Sequence, residues 1–151
     1  MDQFVDKLMS VIVIIIFGIP MLIRGAYYQN VTPQKVEKRL GIDLPESAVV
    51  ENYEYRTRYD RLYVKLSISD NELELMQNYL IDYCDAHGFL TTDNANSTFF
   101  AGIIDWWDMD ENQIELYYYR MIKGKYGLKT GLFFIYMAKD TAGKMCLWFV
   151  D

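Results

Sequence analysis

The chain is poor in the residue types that most often announce a chemistry. Its 151 residues include one histidine, two cysteines and three prolines. A lone histidine, with neither serine nor cysteine in a recognisable nucleophile motif, makes a poor catalytic centre. His87 closes a predicted helix, at the end that carries the partial negative charge. There is no glycine-rich phosphate loop and no HExxH zinc motif. Cys84 and Cys146 lack CxxC spacing and fall on an apparent helix and an apparent strand. They read as two buried thiols, because free cysteine behaves as a small core hydrophobe. A disulfide stapling helix to sheet is the alternative in an oxidising compartment.

Positive charge is also missing from a long stretch. Leu66 to Tyr119 carries eleven Asp and Glu and no Lys or Arg, whereas Arg120 to Val150 carries six Lys and Arg against Asp140 alone. The folded domain is therefore expected to have an acidic and a basic side, the acidic block solvating a helix and its loops. A net charge of −6 argues against nucleic acid as a partner, since that binding rests on neutralising phosphates. Low hydrophobicity is absent too: 52% of residues are hydrophobic, which excludes a disordered chain.

What is present begins with Leu8 to Ile23, sixteen residues without a charge. At ~1.5 Å per residue this run falls short of a ~30 Å hydrocarbon core, but its flanks extend it. Arg24 can snorkel to the interface, and Tyr27 and Tyr28 suit headgroup depth. Pro20 should kink the helix, which membrane helices tolerate. A signal anchor over residues 1–28, contacting the lipid bilayer through residues 8–28, is the preferred reading. A cleaved signal peptide fits less well, because Asp2 and Asp6 lie in the n-region and no A-x-A site follows. A buried core helix would need a polar face that Val11 to Ile16 lacks. Lys7 precedes the span while Arg24, Lys35, Lys38 and Arg39 follow it, so the positive-inside rule places the domain in the cytoplasm. Large domains cross largely regardless of charge, and an extracytoplasmic domain is the orientation expected here.

Residues 29–47 read as a linker with a short helix: Thr32 as N-cap, Pro33 at the first position, Gly41 as the stop. Its basic face (Lys35, Lys38, Arg39) suits either anionic headgroups or plain solvation. A globular α+β domain over 48–151 follows. Strands are predicted at 48–55 and 61–68, the second placing Leu62, Val64, Leu66 and Ile68 on one face and Tyr63, Lys65 and Ser67 on the other. Ser69-Asp70-Asn71-Glu72 reads as a capping box opening a helix whose apolar stripe runs Leu73, Met76, Leu80, Tyr83/Cys84 and His87, with Gly88 as its end. Three further strands, at 113–122, 132–138 and 144–150, predict an antiparallel meander with the last two central. The expected fold is thus α+β: one transmembrane helix, then an antiparallel sheet of about five strands against one main helix.

Thirteen tyrosines suit sheet faces and contact surfaces alike. Candidate binding residues are Trp106, Trp107, Tyr117 and Tyr119, together with Lys123, Lys125 and Tyr126 on the Lys123–Lys129 hairpin tip. Of the two tryptophans, one ring belongs in the core and the other suits a partner. The hairpin lysines fit an acidic partner or lipid, or else protect a sheet edge. Asp105, Asp108, Asp110 and Glu111 have neither the spacing nor the glycine of a calcium loop, so no metal, cofactor or catalytic residue is assigned.

The order of elements is an anchor, LGIDLP at Leu40–Pro45, a strand pair, one helix, DWWD at Asp105–Asp108 and a β-meander. Over most of the chain it resembles small uncharacterised single-span membrane-anchored proteins of bacteria, some suspected to be immunity or accessory proteins. The resemblance implies an envelope setting and carries over no functional residue. The leading expectation is a non-enzymatic module that binds another protein at a membrane. The rivals are a hydrolase using carboxylates of the acidic half, which needs at least two of Asp105, Asp108, Asp110 and Glu115 in one pocket, and a small-ligand or lipid carrier, which needs an apolar cavity between helix and sheet.

Overall fold

In a computed structural model, residues 2–91, 100, 102–123 and 130–151 are described. Two helical pieces, α1 (Asp2–Val13) and α2 (Ile19–Tyr27), are joined by a π segment at Ile14–Gly18. Pro20 stands in the first turn of α2, directly after this π segment. Proline has no N–H and crowds the carbonyl one turn back, and the wider π turn ahead of it accommodates both defects. Asp6–Tyr27 is a 22-residue helix long and apolar enough to cross a membrane. At ~1.5 Å per residue it measures about 33 Å, close to the ~30 Å hydrocarbon thickness. None of its residues is buried: Leu22 is 75% exposed and Phe17 64%.

The remainder is α3 (Pro33–Leu40), β1 (Val49–Arg56), β2 (Arg61–Ser67), α4 (Asp70–Ala86), β3 (Met109–Lys123), β4 (Thr130–Asp140) and β5 (Met145–Val150). The sheet runs β1-β2-β5-β4-β3 and is antiparallel throughout. The β3–β4–β5 meander is as expected, and the β1–β2 hairpin joins it by pairing β2 with β5. β5 is therefore central, which is why its residues are apolar on both faces.

Period-two alternation sends Leu62, Val64, Leu66, Phe133, Ile135, Met137, Leu147 and Phe149 to one face, where Met76, Leu80 and Cys84 of α4 cover them. The opposite face presents Tyr63, Tyr136, Ala138, Cys146, Trp148 and Val150 to Phe100, Ile104 and Trp107 of a covering segment between α4 and β3, and to Met109 at the start of β3. Cys84 and Cys146 are both free and buried, on opposite faces of the sheet. The sheet between them keeps the two thiols from pairing.

Two expectations are corrected. Residues 29–47, read from sequence as a linker with a short helix, pack into the core of the domain. Val31, Val36, Leu40 and Ile42 are buried in the same cluster as α4, because Val36 and Leu40 fall on one helical face. Tyr79 Oη accepts from Asp43 N at 2.8 Å and Tyr83 Oη donates to the Leu40 carbonyl at 3.1 Å, so α4 holds this stretch down. The capping box is also rerouted. Ser69 is the N-cap of α4 but its side chain bonds no helix amide. Its Oγ lies 2.9 Å from Ser47 Oγ and 3.0 Å from Glu72 Oε2, and Ser47 Oγ also donates to Glu72. Ser47 Oγ thus accepts the Ser69 amide, at 3.0 Å, that Glu72 would take in a capping box, while Glu72 bonds the two serine hydroxyls.

Candidate functional site

Three places collect side chains with chemical capacity. The first is the joint between the apolar helix and the domain. Asp60, in the turn between β1 and β2, adopts a left-handed backbone (φ +49°), which short polar Asp tolerates better than most residues. From there its carboxylate takes Arg24 Nη1 at 2.5 Å, Arg39 Nη1 at 3.1 Å and Tyr55 Oη at 2.7 Å, while its carbonyl accepts from Arg39 Nη2 at 2.6 Å. Arg39 completes its fork on Asp151 at 2.5 Å and on Tyr28 Oη at 3.2 Å. Burial pushes the Asp60 pKa up, but the hydrogen bond from Tyr55 and the charge of Arg39 outweigh it and hold it below the usual carboxylate range. Burial likewise opposes the Arg39 charge, and Asp151, Tyr28 and Asp60 together raise its pKa above the ordinary guanidinium value.

Lys35 closes the end of α2, donating to the carbonyls of Tyr27 and Asn30 at 2.5 Å each. A positive charge there complements the negative helix terminus. Gly25 lets the turn at Thr57 approach: a Cβ on it would stand 3.2 Å from Thr57 Cγ2. Tyr27 remains 40% exposed. Tyr28 instead turns inward and packs on Tyr55, ring centroids 4.3 Å apart. Two clefts flank this joint. One, of about 350 Å³, is lined by residues including Ile23, Arg24, Tyr27, Lys35, Lys38 and Arg39. The other, of about 210 Å³, runs over Phe17, Pro20 and Met21 to Arg24 and Arg58.

The second place is a buried charge centre beneath the covering segment. Lys65, 3% exposed at its side chain, donates to both oxygens of Asp108 (2.9 and 2.8 Å) and to Asp140 Oδ2 (2.9 Å), with Glu51 at 3.6 Å. Asp140 Oδ1 accepts the amides of Ala142 and Lys144 at 3.0 and 2.9 Å, so one carboxylate organises the β4–β5 turn and anchors the lysine. Lys144 pairs with Glu51 on the rim. Burial alone would lower the Lys65 pKa, but hydrogen bonding to Asp108 and Asp140 raises it above the ordinary lysine value. Burial also raises Asp140, and the Lys65 hydrogen bond and turn amides bring it below its usual range. Cys146 Sγ lies 3.9 Å from Asp140 Oδ2, and burial pushes its thiol pKa up to about 12, which keeps it protonated and unreactive. Glu51, Asp140 and Cys146 group closely enough to hold a metal ion. The ammonium of Lys65 already neutralises this set, and a thiol so hard to deprotonate is a poor ligand.

The third place is the exposed part of the sheet face that carries the covering segment. Tyr117 and Tyr119 of β3 stack at 5.8 Å and Tyr117 stacks on Phe134 of β4 at 6.5 Å. On the same face Met121 is 63% exposed and Leu132, its register partner, 38%. β3 is an edge strand, bridged at Tyr119 by Leu90.

The predicted site residues separate accordingly. Tyr117 and Tyr119 come together as a half-buried surface pair. Trp106 is half-buried, and Trp107, 6% exposed, packs against Phe100, Tyr136 and Trp148. Trp107 is thus a core residue and offers no contact surface. Lys123 ends β3, while Lys125 and Tyr126 lie outside the described residues. Asp105, Asp108, Asp110 and Glu115 do not converge. Asp108 turns to Lys65, Asp110 accepts from Asn112, and Asp105 and Glu115 are exposed. Neither cleft is lined by any of the four.

Lys65, Asp140, Asp60 and Asp151 escaped sequence reading. The one available signal was a lysine alternating with Tyr63 and Ser67 in a strand whose neighbours prove apolar on both faces. Compared with protein-family models, curated proteins and solved structures, the chain matches none. Its class therefore rests on the fold: an α+β domain behind one N-terminal helix capable of crossing a membrane.

Proposed function

We propose that this protein is a non-enzymatic, membrane-anchored module that binds another protein through the outer face of β3 and β4. The observation that carries the reading is the row Tyr117, Tyr119, Met121, Leu132 and Phe134. Stacked aromatics with exposed apolar neighbours on a rigid sheet give contact area at low entropy cost, the composition found at binding hot spots. Retention of the helix as an anchor is supported by its last turn, where Arg24 pairs with Asp60 and Gly25 seats Thr57. A segment destined for removal has no need of such contacts. The bilayer contacts residues 8–27, Tyr28 being turned into the domain, and the domain lies on the extracytoplasmic side. Accessory and toxin-immunity roles both take this form.

The hydrolase alternative is weakened by the dispersal of its four carboxylates. The test is site-specific photo-crosslinking in cells, with the reactive side chain placed at Tyr119, at Met121 or, as control, at Leu75, which is 71% exposed on α4. Discrete adducts of one mass at 119 and 121, and none at 75, are expected. Equal labelling at all three positions refutes the surface.

A further inference from the structure

We propose that the cleft between the last turn of α2 and α3 is a binding site for the phosphate headgroup of an anionic phospholipid. The inference rests on the anchor reading above but not on the protein-binding one. Four cations (Arg24, Lys35, Lys38 and Arg39) face one anion, Asp60, across the cleft, in a chain whose net charge is −6. Their concentration here runs against the composition of the whole protein.

Depth supports the assignment. Ile23, 64% exposed, forms the lower lip of the cleft, and Tyr27, suited to headgroup level, forms a wall. A ligand here would have its polar part beside α3 and its apolar part against a helix face with no protein cover. That division is the shape of a lipid.

The cations are differently committed. Arg39 is saturated by Asp151, Asp60 and Tyr28, so it shapes the site and is not free to clamp a ligand. Lys35 spends two donors on carbonyls, cancelling the negative helix end that would repel a phosphate. Arg24 is 59% exposed at its side chain and engages Asp60 through one nitrogen, which leaves donors of its fork for a phosphodiester. Lys38 is exposed and makes no hydrogen bond or ion pair among the described residues. Arg24 and Lys38 thus form an open pair. The second cleft, floored by Phe17, Pro20 and Met21, shares the Arg24 wall and offers an apolar groove beside it.

The experiment uses full-length protein purified in a neutral detergent and examined by native mass spectrometry. It is titrated separately with dioctanoyl phosphatidylglycerol, dioctanoyl phosphatidylcholine and inorganic phosphate. Phosphatidylglycerol should bind at least tenfold more tightly than phosphatidylcholine, and inorganic phosphate should not compete. Lys38→Gln should weaken phosphatidylglycerol binding roughly fivefold and Lys38→Glu about thirtyfold, the effects of removing and reversing one charge near a membrane surface. Lys139→Glu, the same charge change on β4, should leave binding unaltered. Equal affinity for the two lipids, or equal effects of Lys38→Glu and Lys139→Glu, overturns the site. Competition by inorganic phosphate overturns the lipid as its occupant. Alkaline extraction of the same protein from membranes reads the anchor independently: release into the supernatant condemns the anchor, whereas retention with no lipid preference condemns only the cleft.

Discussion

Replacing Lys65 with Met removes the charge from the buried centre while keeping most of the side-chain volume. Asp140 is then left with two turn amides and no cation, at a side chain only 7% exposed. Asp108, 37% exposed at its side chain, can rehydrate, and Glu51 keeps Lys144, so most of the cost falls on Asp140. Breaking a buried pair by deleting one partner costs about 3–5 kcal/mol. For a domain of this size, between the small and large cases, each kcal/mol moves the midpoint by roughly 3–6 °C, so a fall of about 10–30 °C is expected. Removing the stranded charge as well, in Lys65→Met/Asp140→Asn, should recover at least half of that loss.

The pH dependence carries a sign. Asp140 is held below its unfolded value, so its stabilising contribution is present above about pH 4 and is lost as pH falls through the folded value. Lys65 is raised, so its contribution is complete below the ordinary lysine value and is lost as pH rises through the higher folded one. Wild type should therefore show a plateau across neutral pH, and its advantage over Lys65→Met should narrow as pH falls below about 4, towards the depressed folded value at which Asp140 is protonated in wild type as well. The assay is thermal unfolding of full-length protein in detergent, followed by near-ultraviolet circular dichroism because Trp148 lies against Lys65 (5.4 Å to the ring centroid). A variant within ~1 kcal/mol of wild type at pH 7, or a double variant no better than the single one, would refute the reasoning.

Two other outcomes can be checked alongside it. Leu40→Ala should cost about 2–4 kcal/mol in the same assay, since Leu40 is buried with Val36 in the main core; a value near zero would mean that 29–47 is a tether after all. For orientation, Glu74→Cys places a thiol on the exposed face of α4, and the native background is low because Cys84 and Cys146 are buried, with thiols pushed up to about 12. A membrane-impermeant maleimide should label Glu74→Cys in intact cells, and labelling only after lysis would place the domain in the cytoplasm.

The element types were legible because each is written in a local period. The charge-free run, the alternation of Leu62 to Ile68 and the stripe through Met76, Leu80 and Cys84 need only neighbouring residues to be read. Pro33 and Gly41 likewise bound α3 by backbone chemistry alone, Gly41 taking a left-handed conformation at φ +70°. The candidate sites were less legible. Trp107 and Tyr119 look alike as aromatic candidates, yet one fills the core and the other lies at the surface. Only the position of the covering segment over the sheet separates them.

What the sequence determines by itself is whatever depends on a single stretch of chain: a helix able to cross a bilayer, the helices and strands that follow, and the short links that make β3, β4 and β5 a meander. The tertiary structure decides what depends on distant residues meeting. The pairing of β2 with β5 makes one five-stranded sheet, and folding the covering segment onto it buries Lys65 between Asp108 and Asp140, which lie 43 and 75 positions away in the chain. Asp60, Asp151 and Arg39 converge in the same way on the last turn of a helix that sequence alone would leave loosely tethered. Local periods record which face of an element is apolar. They do not record which charge will stand opposite, because that is set by how the elements dock.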